Sequence, residues 1–118
     1  MSRILIAEDE ERLAAFIDKG LRKYGYKTAI ACDGKQAVQM AASGKYDLLL
    51  LDLGLPVQDG WTVLAQLQRV RKSLPTIIVT ARDDPQDRLA GLQAGVIDYV
   101  TKPFSFKDLL ARIRVALS

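Results

Sequence analysis

The chain has 118 residues, 49% of them hydrophobic and 26% charged, the make-up of one soluble globular domain long enough to bury a core without staples. No apolar stretch reaches the length of a membrane span, Met1-Ser2-Arg3 leaves no room for a signal peptide, and the single Cys32 makes no internal disulfide, so a reducing cytoplasm is expected. The formal charge of +3 does not read as a nucleic-acid patch, because Arg22-Lys23 and Arg69, Arg71 and Lys72 fall near predicted helix ends and complement the helix dipole.

Arg3-Ile4-Leu5-Ile6-Ala7 predicts a strand over roughly 3–7, which runs into Glu8-Asp9-Glu10-Glu11. Leu13, Phe16, Ile17, Leu21 and Tyr24 then recur at spacings of three and four, an apolar stripe on a helix over roughly 11–24 that Tyr24-Gly25 stops. A weaker strand over roughly 27–31 is expected at a sheet edge, and Asp33-Gly34 opens a helix over roughly 34–43 that Ser43-Gly44 ends. Leu48 to Leu51 is apolar at every position, as a central strand covered on both faces would be, within roughly 47–52. A helix over roughly 60–71 follows, and Leu74-Pro75 opens a strand over roughly 75–80 that closes on Thr80. The last elements are a helix over roughly 84–94, a strand over roughly 98–101 running into Lys102-Pro103, and a helix over roughly 105–117 striped by Leu109, Leu110, Ile113 and Leu117. Five βα units imply an α/β fold, a doubly wound parallel sheet with right-handed crossovers. With no repeat or linker visible, residues 1–118 read as one domain, and any further domain is expected outside this chain.

Parallel strands bring their C-terminal ends to one edge, where open α/β sheets place their ligands. Glu8-Asp9, Asp52, Thr80 and Lys102 each sit where an apolar run ends, so carboxylates, a hydroxyl and an ammonium converge there. The first βα turn carries four consecutive carboxylates and no glycine, so it suits a hard divalent cation such as Mg2+ and not a nucleotide phosphate. Glu10 and Glu11 are accounted for by the N-terminus of the first helix; Asp9 facing Asp52 across adjacent strands is not. Asp52 at the end of the most buried run needs a positive balance, which a cation and Lys102 supply. One oxygen is then free to attack phosphorus and form an aspartyl phosphate. A proline after Lys102 suits a sharp turn, with a cis bond accessible. No histidine occurs, so any phosphohistidine must belong to a partner.

An acidic pair after strand one, Asp52 in Leu51-Asp52-Leu53-Gly54-Leu55-Pro56 with Asp59-Gly60 beyond, Thr80 after strand four and Lys102-Pro103 together resemble the CheY-like receiver domain of two-component response regulators. The resemblance covers essentially the whole chain and implies the strand order 2-1-3-4-5. It further implies that Asp52 is the phosphoacceptor for a sensor histidine kinase. Asp9, Asp52 and the Gly54 carbonyl would hold Mg2+, with Glu8 helping through water. Thr80 would bond a phosphoryl oxygen, Lys102 would pair with the phosphate, and Tyr99 would report the switch by turning inward. From the residues alone, Tyr99 reads equally as a strand-end aromatic packed on a helix.

The stretch from Asp98 to Ser105, with Leu109 to Arg114, resembles the OmpR/PhoB subfamily in particular. That likeness implies a homodimer through the face of helix four, strand five and helix five, with intermolecular pairs Arg88–Asp108 and Asp98–Arg112. Gln93 and Ile97 replace acids usual on that face, leaving Arg114 without its expected partner. It also implies control of transcription, with DNA bound only through an effector domain. A phosphohydrolase working through an aspartyl phosphate would need a second aspartate at position 54, which is glycine. A pseudo-receiver that only docks partners should have lost an acidic, acceptor or lysine position, and none is lost. The chain is thus expected to be a phosphoacceptor switch and not an enzyme beyond its own phosphorylation and dephosphorylation. A stand-alone receiver without an effector is the alternative.

Overall fold

The computed structural model describes residues 2–70 and 73–118. Strands β1 (Arg3–Ala7), β2 (Lys27–Ala31), β3 (Leu48–Leu51), β4 (Thr76–Thr80) and β5 (Asp98–Thr101) alternate with five helices: α1 (Glu11–Lys23), α2 (Gly34–Ala41), α3 (Gly60–Val70), α4 (Pro85–Gln93) and α5 (Phe106–Leu117). All four strand pairings are parallel, in the order β2-β1-β3-β4-β5, so the expected doubly wound sheet is observed, with β2 at an edge and β3 in the middle. The expected extension of α3 to position 71, and Arg71 and Lys72 themselves, lie outside the described residues.

Alternation along the strands sorts the core onto two faces. Ile4, Ile6, Leu48, Leu50, Ile77, Val79 and Val100 pack with Ile17 and Leu21 of α1 and Leu109 and Ile113 of α5. Leu5, Leu49, Leu51, Ile78 and Tyr99 pack with Ala37 and Ala41 of α2 and Val63 and Leu67 of α3. Every β3 side chain is buried, because helices cover both of its faces.

The apolar stripe of α1 is narrower than its sequence suggests. Its buried line runs through Ala14, Ile17 and Leu21, whereas Phe16 and Tyr24 are 56% and 51% exposed. The two aromatics flank that line and meet Phe106 instead, Phe16 edge-on at 5.8 Å and Tyr24 stacked at 6.3 Å. Phe106 itself lies against Gly20, where a Cβ would come within 2.5 Å of its ring. Helices α4 and α5 start one residue later than expected because Asp84 and Ser105 are caps, accepting from the backbone N–H groups of Gln86 and Asp108. Asp33 caps α2 in the same way, and α2 ends at Ala41, ahead of Gly44 with its φ of +81°.

Candidate functional site

The register aligns Ala7 with Leu51, Leu51 with Ile78 and Thr80 with Thr101, so the residues that follow the strands emerge side by side. Each is still pinned to a neighbour as it leaves the sheet. The Glu8 N–H donates to the Ala31 carbonyl at 3.1 Å, Asp52 to Ala7 at 3.1 Å, and Lys102 to Thr80 at 2.8 Å. The Lys102–Pro103 bond is cis, as the sequence allowed.

Lys102 is the hub. Its ammonium lies 2.7 Å from Glu8 Oε1, 3.3 Å from Asp52 Oδ2 and 3.4 Å from Glu10 Oε2. Glu8 and Asp52 are buried, only 3% and 8% exposed, so their charges depend on such a partner. Burial holds the Glu8 carboxyl above its usual range, although its contact with Lys102 works in the opposite sense. Burial alone would lower the Lys102 ammonium, but the Glu8 hydrogen bond and the charge of Asp52 outweigh it and leave it raised. Lys102 is therefore a firm cation at neutral pH. The second Asp52 oxygen, Oδ1, accepts from the Gly54 N–H at 3.2 Å, which orients the carboxylate.

Glu8, Asp9 and the Asp52 carboxylate offer oxygens that all lie within 4.8 Å of one another, with Asp9 exposed to solvent. Hard anionic oxygens gathered at one point fit Mg2+. Four carboxylates lie around the Lys102 ammonium, and their excess of negative charge further favours a cation.

Thr80 is buried at the end of β4, and its hydroxyl accepts from the Arg82 N–H at 3.4 Å. Tyr99 is buried too, and its hydroxyl donates to the Arg82 carbonyl at 2.8 Å. The backbone of Arg82 thus touches both expected switch residues, a link the sequence could not signal because it uses no side chain. The Arg88 guanidinium lies 5.2 Å over the Tyr99 ring and pairs with Asp83 at 3.0 Å. Burial, with Asp87 next, holds the Tyr99 phenol above its usual range.

On the α4-β5-α5 face, Arg112 pairs within its own chain, with Asp98 at 2.7 Å and Asp108 at 3.1 Å. Arg88 turns toward Asp83 and not toward Asp108. The sequence presents Glu10 only as helix-terminal charge, yet it reaches Lys102, a partner 92 residues away in the chain.

Residues 4–114 match the response regulator receiver domain. The chain belongs to that family. It is 46% identical over 115 residues to the transcriptional activator protein IrlR of Burkholderia pseudomallei, covering 98% of this chain and 50% of IrlR. The non-phosphorylated HemR receiver domain from Leptospira biflexa superposes with a TM-score of 0.95 at 30% identity, covering 100% of this chain and 95% of that one. TrrA from Thermotoga maritima, in complex with Mg2+ and BeF, superposes at 0.89 with 30% identity, covering 99% of this receiver and all of that chain. This receiver spans about half the length of the curated relatives it matches. Among the described residues no helix is long and apolar enough to cross a membrane.

Proposed function

We propose that this receiver accepts a phosphoryl group from a sensor histidine kinase on Asp52, in a Mg2+-dependent reaction, and transmits the change to its α4-β5-α5 face. The observation that carries this reading is the Lys102 ammonium shared by Asp52 and Glu8 beside a three-carboxylate cluster. An Asp52 oxygen attacks phosphorus, forming the acyl phosphate bond as the bond to the donor's imidazole nitrogen breaks and its electrons leave with the imidazole. Asp9, Asp52 and the Gly54 carbonyl would hold Mg2+, with Glu8 assisting through water, and the bound ion supplies charge neutralisation to the phosphoryl oxygens. Lys102 shifts from its carboxylates to a phosphoryl oxygen, and the Thr80 hydroxyl donates to another. Because Thr80 and Tyr99 both bond Arg82, a move of the hydroxyl reaches the Tyr99 ring and then the face that carries Arg88.

The chain works as a switch in the cytoplasm, without turnover beyond its own phosphorylation and dephosphorylation. Its output is a homodimer through Arg88, Asp98, Asp108 and Arg112, and control of transcription through a DNA-binding effector domain outside residues 1–118. The name of IrlR and its greater length support that output. Since Arg112 already holds Asp98 and Asp108 within one chain, dimerisation would exchange pairs instead of creating them. TrrA's complex with Mg2+ and BeF supports the choice of probe. Beryllofluoride with Mg2+ should saturably change the fluorescence of Trp61, the single tryptophan, which sits in the first turn of α3 beyond the loop that follows Asp52, and shift sedimentation toward a dimer. Lys102→Ala should weaken the beryllofluoride response more than Mg2+ binding. Absence of any response in the wild type would refute the switch, while a fluorescence change with a persistent monomer would refute the dimer alone.

A further inference from the structure

Glu10 is a carboxylate at the site that the reaction above leaves without a role. Its side chain is 66% exposed, yet it spans to Lys102 Nζ at 3.4 Å. It occupies the N-cap position of α1 and makes no side-chain cap hydrogen bond, while Glu11 supplies the first-turn negative charge. A carboxylate that only served the helix would be expected to bond its exposed N–H groups. The Glu10 N–H instead donates to Glu8 Oε2 at 3.2 Å, which fixes its backbone to the buried acid beside Asp52. A cavity of about 670 Å³ lies on this flank, lined by Glu10, Arg12 and Lys102 with Phe16 of α1 and Pro103 and Phe104 of the last turn, and Asp52 is not in its wall.

We propose that Glu10 is a charge gate on Lys102. In the unphosphorylated protein it takes a share of the ammonium, and its charge opposes the approach of anionic phosphodonors to Lys102. The inference rests on Asp52 being the phosphoacceptor. Two effects act in the same direction: the carboxylate competes with the incoming phosphoryl group for Lys102, and its own charge repels that group. Glu10 is a positioning residue, since it holds Lys102 and forms no bond with the reacting atoms. An exposed ion pair of this kind shifts an equilibrium by up to about fivefold. A gate made of charge must also discriminate by the charge of the donor, which a packing role would not do.

The test compares wild type, Glu10→Gln and Asp52→Asn at saturating Mg2+, using two donors of different charge near neutral pH. Acetyl phosphate is a dianion, and phosphoramidate carries one net negative charge. Glu10→Gln should take label about two- to fivefold faster from acetyl phosphate, gain less with phosphoramidate, and bind beryllofluoride more tightly. Its thermal midpoint should stay close to that of the wild type, because the exchanged group is exposed. Equal or slower labelling from acetyl phosphate, or the same gain with both donors, would overturn the gate. If Asp52→Asn labels as well as the wild type, the phosphoacceptor reading fails and takes the gate with it.

Discussion

Tyr99 is held in place by one hydroxyl and one cation. Its O–H donates to Arg82, and the Arg88 guanidinium caps the ring. Removing the hydroxyl in Tyr99→Phe should cost about 1 kcal/mol, the usual net value of such a hydrogen bond. The phenol also makes stability depend on alkali. Burial raises its pKa in the folded state above the ordinary value near 10, so the unfolded chain releases this proton first. Its contribution is fully present below that ordinary value and is lost as pH rises through the folded one. Denaturant unfolding at about pH 8 and about pH 11 should show a smaller alkaline loss for Tyr99→Phe than for wild type. An identical loss would mean that the phenol is not shielded. At this scale the sequence was most legible in the side chains that the strand ends gather, Asp52, Asp9 and Lys102. It was silent on Arg82, whose part is played by its backbone, and on the long reach of Glu10.

The β3–α3 loop is an element shaped by close approach. The Gly34 N–H donates to Pro56, and a Cβ at position 34 would run into the Gln58 carbonyl. At Gly60 a Cβ would stand 2.7 Å from Leu53 Cα and 2.8 Å from the carbonyl of Asp52. The loop between them carries Val57 at a φ of 70°, so the chain beyond Asp52 is tightly specified. Gly34→Ala should destabilise by about 1–3 kcal/mol, since backbone must move to admit the methyl group. Gly54→Ala should be far milder, because a Cβ there lies 3.9 Å from Asp52 Oδ1 and meets nothing closer. Equal losses in thermal melts of the two variants would contradict this account. Strand and helix positions were legible because alternation and turn residues are local signals. The exposure of Phe16 and Tyr24 was not, because it depends on Phe106, which a distant helix brings to α1.

On the scale of the whole molecule, one topological fact assembles the site: parallel strands place their C-terminal ends together. The resulting concentration of carboxylates should make the protein respond to Mg2+, with a rise in thermal midpoint that Asp9→Asn largely abolishes. An equal rise in that variant would remove Asp9 from the proposed ligands. The α/β class and parallel sheet followed from the succession of strands and helices, whereas the order 2-1-3-4-5 came only from family resemblance. The pairing of Arg112 with Asp98 and Asp108 inside one chain was legible from neither, since a sequence does not distinguish a contact within a chain from one between chains. Whether Asp52 takes the phosphoryl group is read most directly from incorporation of label from radioactive acetyl phosphate with Mg2+, compared on wild type and Asp52→Asn after acid quench. Label on the wild type, absent without Mg2+ and absent on Asp52→Asn while that variant remains folded, is the expected result; acid-stable label persisting on Asp52→Asn would contradict it.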